Sequence, residues 1–146
     1  MNGFEPRFSG WEARTTDSFA RQAVMQTLGA RILSLEPGRV ELMLPFDDAL
    51  TQQHGFLHAG VVTTVLDSAC GYAAFTLMEA EAEVLTVEFK SNFTAPAKGA
   101  EFRFVGEVVQ SGRTLSVCRG EALGDGRLIS TMQATMMAVR GRSDVR

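Results

Sequence analysis

The sequence contains little that would tie it to an oxidising compartment, a zinc site or nucleic acid. Only two of its 146 residues are cysteines, Cys70 and Cys118, which set no disulfide framework and match no zinc-ligand spacing. The 14 basic residues include only two lysines, Lys90 and Lys98, and the net charge is -3, so no nucleic-acid-binding surface is indicated. Residues 1–10 lack the apolar segment of a secretory signal. These absences favour a reduced, cytoplasmic protein.

The sequence also has no long apolar run that is free of charge. The nearest approach is the segment 59–78, which contains one charged side chain, Asp67. Its length would allow a membrane helix, but a carboxylate near the middle costs about 2.5–3.5 kcal/mol, and Thr63, Thr64 and Ser68 dilute the apolarity. We therefore predict no membrane span and expect a central helix that the rest of the protein covers.

The hydrophobic periodicity predicts one α+β domain over residues 1–146. The length fits a single domain, and successive strands joined by short turns favour an antiparallel sheet. Because one long apolar helix accompanies about six strands, we expect the sheet to curl round that helix. The predicted elements are an irregular arm (1–15), a helix (16–28) that Thr16 or Asp17 begins and Gly29 ends, two short strands (30–36 and 39–44), a long helix (59–79), four strands between residues 84 and 139, and a tail (140–146).

Three of the predicted strands carry patterns that bear on the site. In residues 84–94, period-two alternation predicts an apolar face that contains Phe89 and a polar face that contains Thr86. Gly106 indicates a possible bulge in the next strand. The strand 115–123 has one face of small residues, against which we expect the long helix to pack closely. That face consists of Ser116, Cys118, Gly120 and Ala122.

A motif lies where the central loop leads into the long helix. Residues 52–72 have the sequence QQHGFLHAGVVTTVLDSACGY, in which Gly55, His58, Gly60 and Asp67 follow the spacing of a known family. The chain resembles the hotdog-fold thioesterases of the PaaI (phenylacetate-degradation) type. Weaker likenesses are the strand end Pro-Ala-Lys and the hairpin Gly-Arg-Thr-Leu, at residues 96–98 and 112–115.

The resemblance implies a fold, a reaction and an assembly. The fold is a hotdog, in which a curled antiparallel sheet of about six strands wraps a long central helix. The implied reaction is hydrolysis of an acyl-CoA thioester. The implied assembly is a homodimer with its active sites at the subunit interface, with a tetramer as a dimer of dimers. Two positions depart from the family pattern, since Ala59 replaces the first Gly of His-Gly-Gly and Gln52 stands where many relatives have Asn.

Elementary chemistry assigns roles to two parts of this motif. Thioester hydrolysis needs donors for the developing oxyanion, and the N–H groups of Ala59 and Gly60 at the start of a helix are available for it. It also needs a carboxylate that acts as a base or as a nucleophile, which Asp67 can supply. Ala59 and Asp67 are eight residues apart, about 12 Å along a helix. One substrate carbonyl cannot contact both, so we expect two chains to share each site.

Further site residues are assigned by residue type or by the resemblance. His58 is either a cap of the helix or a group that orders the loop or polarises the carbonyl. Gln52 can donate an amide N–H to the substrate, and Thr86 matches a family position that helps to place the attacking water. The expected substrate-binding residues are Gly55, Gly60, Phe56 and Thr64, of which Phe56 could line an acyl pocket, together with Arg113 and Lys98, which could contact coenzyme A phosphates.

Two other functions remain open on the sequence alone. One is a non-catalytic acyl-CoA-binding protein, which the departures at Ala59 and Gln52 keep in consideration. The other is a hotdog dehydratase or hydratase, although its usual spacing of carboxylate and His is not present. We expect no metal and no redox cofactor, since coenzyme A is part of the substrate. Aryl, medium-chain and long-chain acyl groups are all compatible with the sequence.

Overall fold

The computed structural model describes residues 3–145 and has the predicted α+β order. Two short helices precede a pair of strands, the long helix follows, and four strands complete the chain. The elements are α1 (Trp11–Ala20), α2 (Ala23–Leu28), β1 (Arg31–Glu36), β2 (Arg39–Pro45), a 3₁₀ turn (Asp48–Leu50), α3 (Ala59–Phe75), β3 (Glu83–Phe93), β4 (Glu101–Ser111), β5 (Leu115–Gly124) and β6 (Arg127–Val139).

The six strands form one antiparallel sheet around α3. Their order is β1-β2-β4-β5-β6-β3, so β3 lies at one edge of the sheet beside β6. Helix α3 contacts five strands, from β2 to β6. The tight turn between β5 and β6 explains their pairing, because Asp125 and Gly126 have φ values of 47° and 83°, as a two-residue hairpin turn requires. The predicted curled sheet around a central helix is therefore confirmed.

Helix α3 packs directly on the backbone of β4 and β5. A Cβ added at Gly106 would lie 2.5 Å from the backbone nitrogen of Cys70, and one at Gly120 would lie 2.8 Å from Leu66. The close approach to the small face of β5 is thus as predicted. The predicted bulge at Gly106 is wrong, because Gly106 pairs in regular register with Gly120. The bulge in β4 lies between Val108 and Gln110.

The N-terminal region is more helical than predicted. Helix α1 begins at Trp11, so the predicted irregular arm is wrong beyond residue 10 and the predicted single helix 16–28 is two helices. Thr16 does not cap a helix; its hydroxyl donates to the Glu12 carbonyl from within α1. Gln22 has an extended backbone and separates α1 from α2, and Gly29 ends α2 as predicted. Residues 1, 2 and 146, at the ends of the predicted arm and tail, lie outside the described residues.

Helix α3 ends at Phe75, four residues earlier than predicted. The Arg14 guanidinium of α1 donates to the carbonyls of Phe75 and Met78 at 2.9 Å, and also to the Glu79 carbonyl. It thereby satisfies acceptors that a longer helix would have used internally. Within residues 3–145, no helix is both long and apolar enough to cross a membrane.

Candidate active site

Asp67 lies in the middle of α3 with its carboxylate half-buried. The Thr86 hydroxyl of β3 donates to Asp67 Oδ1 at 2.9 Å. Burial raises the pKa of Asp67, because desolvation disfavours the charged form, and the hydrogen bond from Thr86 lowers it in part. Asp67 and Thr86, which the sequence assigned to the site separately, are thus in direct contact within one chain.

A β-bulge in β3 makes this contact possible. The register of β3 against β6 shifts between Thr86 and Glu88, so Val87 is an extra residue. The predicted alternation is therefore wrong at this point: Thr86 pairs with buried Met136 and Phe89 pairs with buried Ala134, so both lie on the helix side of the sheet. Bulges commonly re-aim a side chain next to a functional site. Here the bulge turns Thr86 towards Asp67.

A small polar cavity, which we call the Asp67 chamber, adjoins this carboxylate. Its volume is about 140 Å³. Helix α3 and strand β3 form part of the wall, and the N-terminal helical segment forms the rest through Ser18 and Gln22. The lining residues are Ser18, Gln22, Asp67, Ser68, Gly71, Tyr72, Glu83, Val84 and Thr86.

The start of α3 holds one free backbone donor. His58 is the N-cap, and its Nδ1 accepts from the Gly60 N–H at 2.8 Å, while the His58 carbonyl accepts from Val61 and Val62. Of the first four N–H groups, only that of Ala59 has no partner in the part of the chain that the structure describes. The expected pair of donors is thus reduced to Ala59 alone. Ala59 does not have a positive φ, so its backbone is unstrained despite replacing a glycine.

The structure favours the capping interpretation of His58. Because Nδ1 accepts a hydrogen bond, the neutral ring carries its proton on Nε2. Gly60 makes room for this cap, since a Cβ at Gly60 would lie 3.0 Å from His58 Nδ1. The local role of Gly60, which we expected to bind substrate, is therefore to admit the His58 ring.

Gln52 organises the loop before α3. Its Oε1 accepts from the N–H groups of His54 at 2.5 Å and Phe56 at 3.4 Å, and its carbonyl accepts from Gly55 N–H at 3.0 Å. Gly55 has a φ of 82°, a left-handed conformation that glycine adopts without strain. Because the amide oxygen is held by the loop, the Gln52 amide N–H groups are the part left for another partner.

An open cleft, which we call the helix-start cleft, lies beside this loop. Its volume is about 570 Å³, and Phe56 contributes to the apolar part of its wall. Gln52, Phe56, His58 and Ala59, each assigned to the site from the sequence, thus line one cleft. The lining residues are Gln52, Phe56, Leu57, His58, Ala59, Phe93, Thr94, Ala95, Pro96 and Ala97.

None of the remaining predicted residues lines either cavity. The Thr64 hydroxyl donates to the Gly60 carbonyl at 2.7 Å, within its own helix. Lys98 adjoins Gly124 at one end of β5, whereas Arg113 lies in the turn at the other end, so one chain does not bring these two cations together. The Arg113 carbonyl accepts from Arg140, whose guanidinium also pairs with Glu79.

The sequence did not predict that the N-terminal helical segment lines the Asp67 chamber. The Ser68 hydroxyl donates to Gln22 Oε1 at 3.0 Å, and the hydroxyls of Ser18 and Tyr72 lie 3.2 Å apart. The one available signal was Ser68, a polar residue next to Asp67 in an apolar helix. Among residues 3–145, no group of three or more His, Cys, Asp or Glu side chains is arranged to hold a metal ion.

The sequence of the chain is similar to those of known proteins. A family model described as the thioesterase superfamily matches residues 54–129. A candidate esterase of Saccharolobus solfataricus is 32% identical over 106 residues, which are 72% of this chain and 75% of that protein.

Solved structures show the same fold. A thioesterase family protein from Silicibacter pomeroyi is 65% identical, with a TM-score of 0.88 over 90% of this chain and 100% of that one. The Escherichia coli PaaI protein from the phenylacetic acid degradation operon is 15% identical, with a TM-score of 0.83 over 90% of this chain and 94% of that one. These structures confirm the predicted hotdog fold and the resemblance to the PaaI type.

Proposed function

The chain belongs to the thioesterase superfamily, and we propose that it hydrolyses an acyl-CoA at active sites that two copies of the chain form together. Family membership makes it a thioester hydrolase. The observation that carries the proposal is the half-buried Asp67 carboxylate, held by Thr86 and open to a cavity, on the same helix that starts with the free Ala59 N–H.

Asp67 serves as the general base in the proposed mechanism. Thr86 engages Oδ1, so Oδ2 is left to accept a proton from the attacking water. Burial favours this role, because a carboxylate with a raised pKa is a stronger base than an ordinary aspartate. As the water oxygen bonds to the thioester carbon, its proton passes to Asp67.

The start of α3 in the second chain stabilises the oxyanion that forms on the substrate. The Ala59 N–H donates to the oxygen of the tetrahedral intermediate, and the positive end of the helix dipole adds to the stabilisation. A Gln52 amide N–H lies in the same cleft as a second donor. Collapse of the intermediate then breaks the C–S bond, and the thiolate of coenzyme A takes the proton from Asp67. Neither step calls for a metal or a redox cofactor.

The distance between the two groups supports a shared site. Ala59 and Asp67 are eight residues apart on one continuous helix, about 12 Å, whereas a reacting carbonyl must lie about 3 Å from the Ala59 N–H and only one water molecule away from Asp67. Two antiparallel copies of α3 bring Asp67 of one chain beside Ala59 of the other. The homodimer, and a tetramer as a dimer of dimers, are parts of this proposal, as is a cytoplasmic location.

The surface of one chain is suited to such pairing. Strand β3 lies at the edge of the sheet, and its apolar side chains are exposed, with Val87 at 53% and Phe89 at 44%. A long edge strand with exposed apolar residues favours pairing with another chain. The same antiparallel arrangement brings Arg113 of one chain towards the end of the sheet that holds Lys98 of the other. Together these cations can contact the phosphates of coenzyme A.

Replacing the base tests the proposal. We expect Asp67→Ala to keep the dimer and to lower kcat by about 10²- to 10⁴-fold, the usual contribution of a general base. The measurement is thiol release from a panel of aryl, medium-chain and long-chain acyl-CoAs, with sedimentation to follow the dimer. Asp17→Ala, which removes an exposed carboxylate from α1, is the matched control. Undiminished hydrolysis by Asp67→Ala, or no thiol release by the unchanged protein, would contradict the assignment.

A further inference from the structure

We infer that Gln22 is a specificity-determining residue, which selects a compact acyl group that carries a hydroxyl. This inference rests on the proposed function and names the substrate class of the same site. Gln22 lies between α1 and α2, outside the motif of the loop and α3, and its side chain lines the Asp67 chamber.

The Gln22 side chain contacts α3 and does not cap α2. Gln22 is the N-cap residue of α2, yet its side chain makes no capping hydrogen bond there. It turns instead towards α3, where buried Ser68 donates to its Oε1 at 3.0 Å. With the oxygen fixed, the two amide N–H donors are left without a partner among the described residues, in a side chain that lines the chamber.

The chamber reaches further than the attacking water requires. Gly71 and Tyr72 extend it by more than one turn of α3 beyond Asp67, about 7 Å along the helix. Its volume of about 140 Å³ is close to that of cavities that accept a single benzene ring. A compact acyl group therefore fits beside the carboxylate, and a long chain does not.

The polar lining favours an oxygen on that acyl group. The Thr86 hydroxyl donates to Asp67, the Ser68 hydroxyl donates to Gln22, and those of Ser18 and Tyr72 contact each other. The free donors are thus the two N–H groups of the Gln22 amide and the one O–H of the Ser18–Tyr72 pair that their mutual contact does not use. An unsubstituted alkyl or aryl group would bury them unpaired, which is unfavourable.

A hydroxyl matches the chamber better than a carbonyl does. Glu83 also lines the cavity, and its side-chain carboxylate, when ionised, can only accept a hydrogen bond. A hydroxyl can accept from Gln22 and donate to Glu83 at once, whereas a carbonyl oxygen can only accept.

The test compares acyl-CoAs that differ by one hydroxyl. The probes are butyryl- against 3-hydroxybutyryl-CoA, and benzoyl- against 3-hydroxybenzoyl-CoA, with kcat/KM measured for each. We expect the unchanged protein to prefer the hydroxylated member of at least one pair by about tenfold, because a site built to bond a hydroxyl rejects the analogue without it. Gln22→Leu keeps the size but has no donor, so the preference should disappear.

Two further variants separate this role from a structural one. Gln22→Glu keeps the size and the acceptor for Ser68 without an N–H donor, so it should lose the preference as Gln22→Leu does. Gln133→Leu makes the same change on the exposed face of β6 and should keep the preference. Thermal unfolding shows which variants fold.

The outcomes distinguish this inference from the proposed function. Equal use of both members of each pair by the unchanged protein, or a preference that survives in both folded Gln22 variants, overturns the role of Gln22 while hydrolysis itself stands. Hydrolysis of long-chain acyl-CoAs in place of all four probes does the same. If no acyl-CoA releases thiol, the proposed function fails and the inference fails with it.

Discussion

At the scale of single residues, the contact between Thr86 and Asp67 makes the pH dependence of the reaction predictable. The Thr86 hydroxyl stabilises the ionised carboxylate, so it lowers a pKa that burial raises. In the proposed mechanism activity requires ionised Asp67, so we expect it to fall as the pH drops through that pKa. Thr86→Val removes the hydrogen bond and keeps the shape, so the pKa of Asp67 should rise further. We therefore expect the acid limb of kcat/KM to move to higher pH.

The pH profile of kcat/KM measures this shift. Thr131→Val, on the next strand but without contact to Asp67, should leave the acid limb in place. An acid limb of Thr86→Val that stays in place or moves to lower pH would show that Asp67 is not the group that titrates.

Single residues also mark how far the sequence could predict the site. Asp67 stood out because a carboxylate within an apolar helix needs an explanation, and Ala59 because it occupies the position of a glycine. The loss of the Gly60 donor to His58 could not be predicted, since it depends on a ring orientation that no spacing encodes. Gln22 was missed because a glutamine between two short helices has no pattern that sets it apart.

At the scale of elements, the packing of α3 on the sheet depends on β4 having no side chain at residue 106. A Cβ there would meet the backbone of Ala69 and Cys70 in α3, and backbone atoms cannot move aside cheaply. Gly106→Ala should therefore destabilise the fold by about 1–3 kcal/mol, the usual cost of overpacking. For a chain of this size that corresponds to a fall in Tm of about 2–12 °C.

A second glycine provides the comparison. Gly71→Ala adds the same methyl group within α3, where it meets only Met136 Sδ at an ordinary 3.9 Å. Alanine is also the better helix former, so this variant should unfold at the same temperature as the unchanged protein or above it. Equal melting temperatures for the two variants would mean that the close contact at Gly106 is not tight.

Elements were predictable where local chemistry decides them. A few adjacent residues determine the structure of the alternating strands, of the Asp125–Gly126 turn and of the apolar helix α3. The errors occur where distant residues decide. At the end of α3, the carbonyl of Phe75 accepts from Arg14, which belongs to α1. The bulge at Val87 is a feature of how β3 pairs with β6. Period-two alternation cannot reveal an inserted residue, and it therefore assigned Thr86 to the wrong face.

At the scale of the whole molecule, the proposed mechanism divides the reaction between two separate parts of one chain. The Asp67 chamber contains the proposed base, and the helix-start cleft contains the proposed oxyanion donor. Each half is complete within one chain, since Thr86 orients the base and His58 caps the helix start. The proposed dimer therefore has only to bring the two preformed halves together, and its symmetry produces two sites at once.

Mixing two inactive variants tests this arrangement. Asp67→Ala removes the base. Ala59→Pro removes only the N–H at the first position of α3, where proline is tolerated in a helix, and the preceding His58 already has the extended φ and ψ of -61° and 136° that proline requires. Each variant alone should be nearly inactive. In a mixed dimer, one site carries both changes, and the other has an intact Asp67 from one chain and an intact Ala59 from the other.

Activity should therefore return when the two variants are unfolded and refolded together. Random pairing of equal amounts makes half of the dimers mixed, each with one intact site of two, so we expect about a quarter of the unchanged protein's activity. Native mass spectrometry verifies that mixed dimers form, and each variant refolded alone is the control. If mixed dimers form and activity stays at the level of the separate variants, base and donor act within a single chain. The 12 Å along α3 would then have to be spanned by some movement of the helix start.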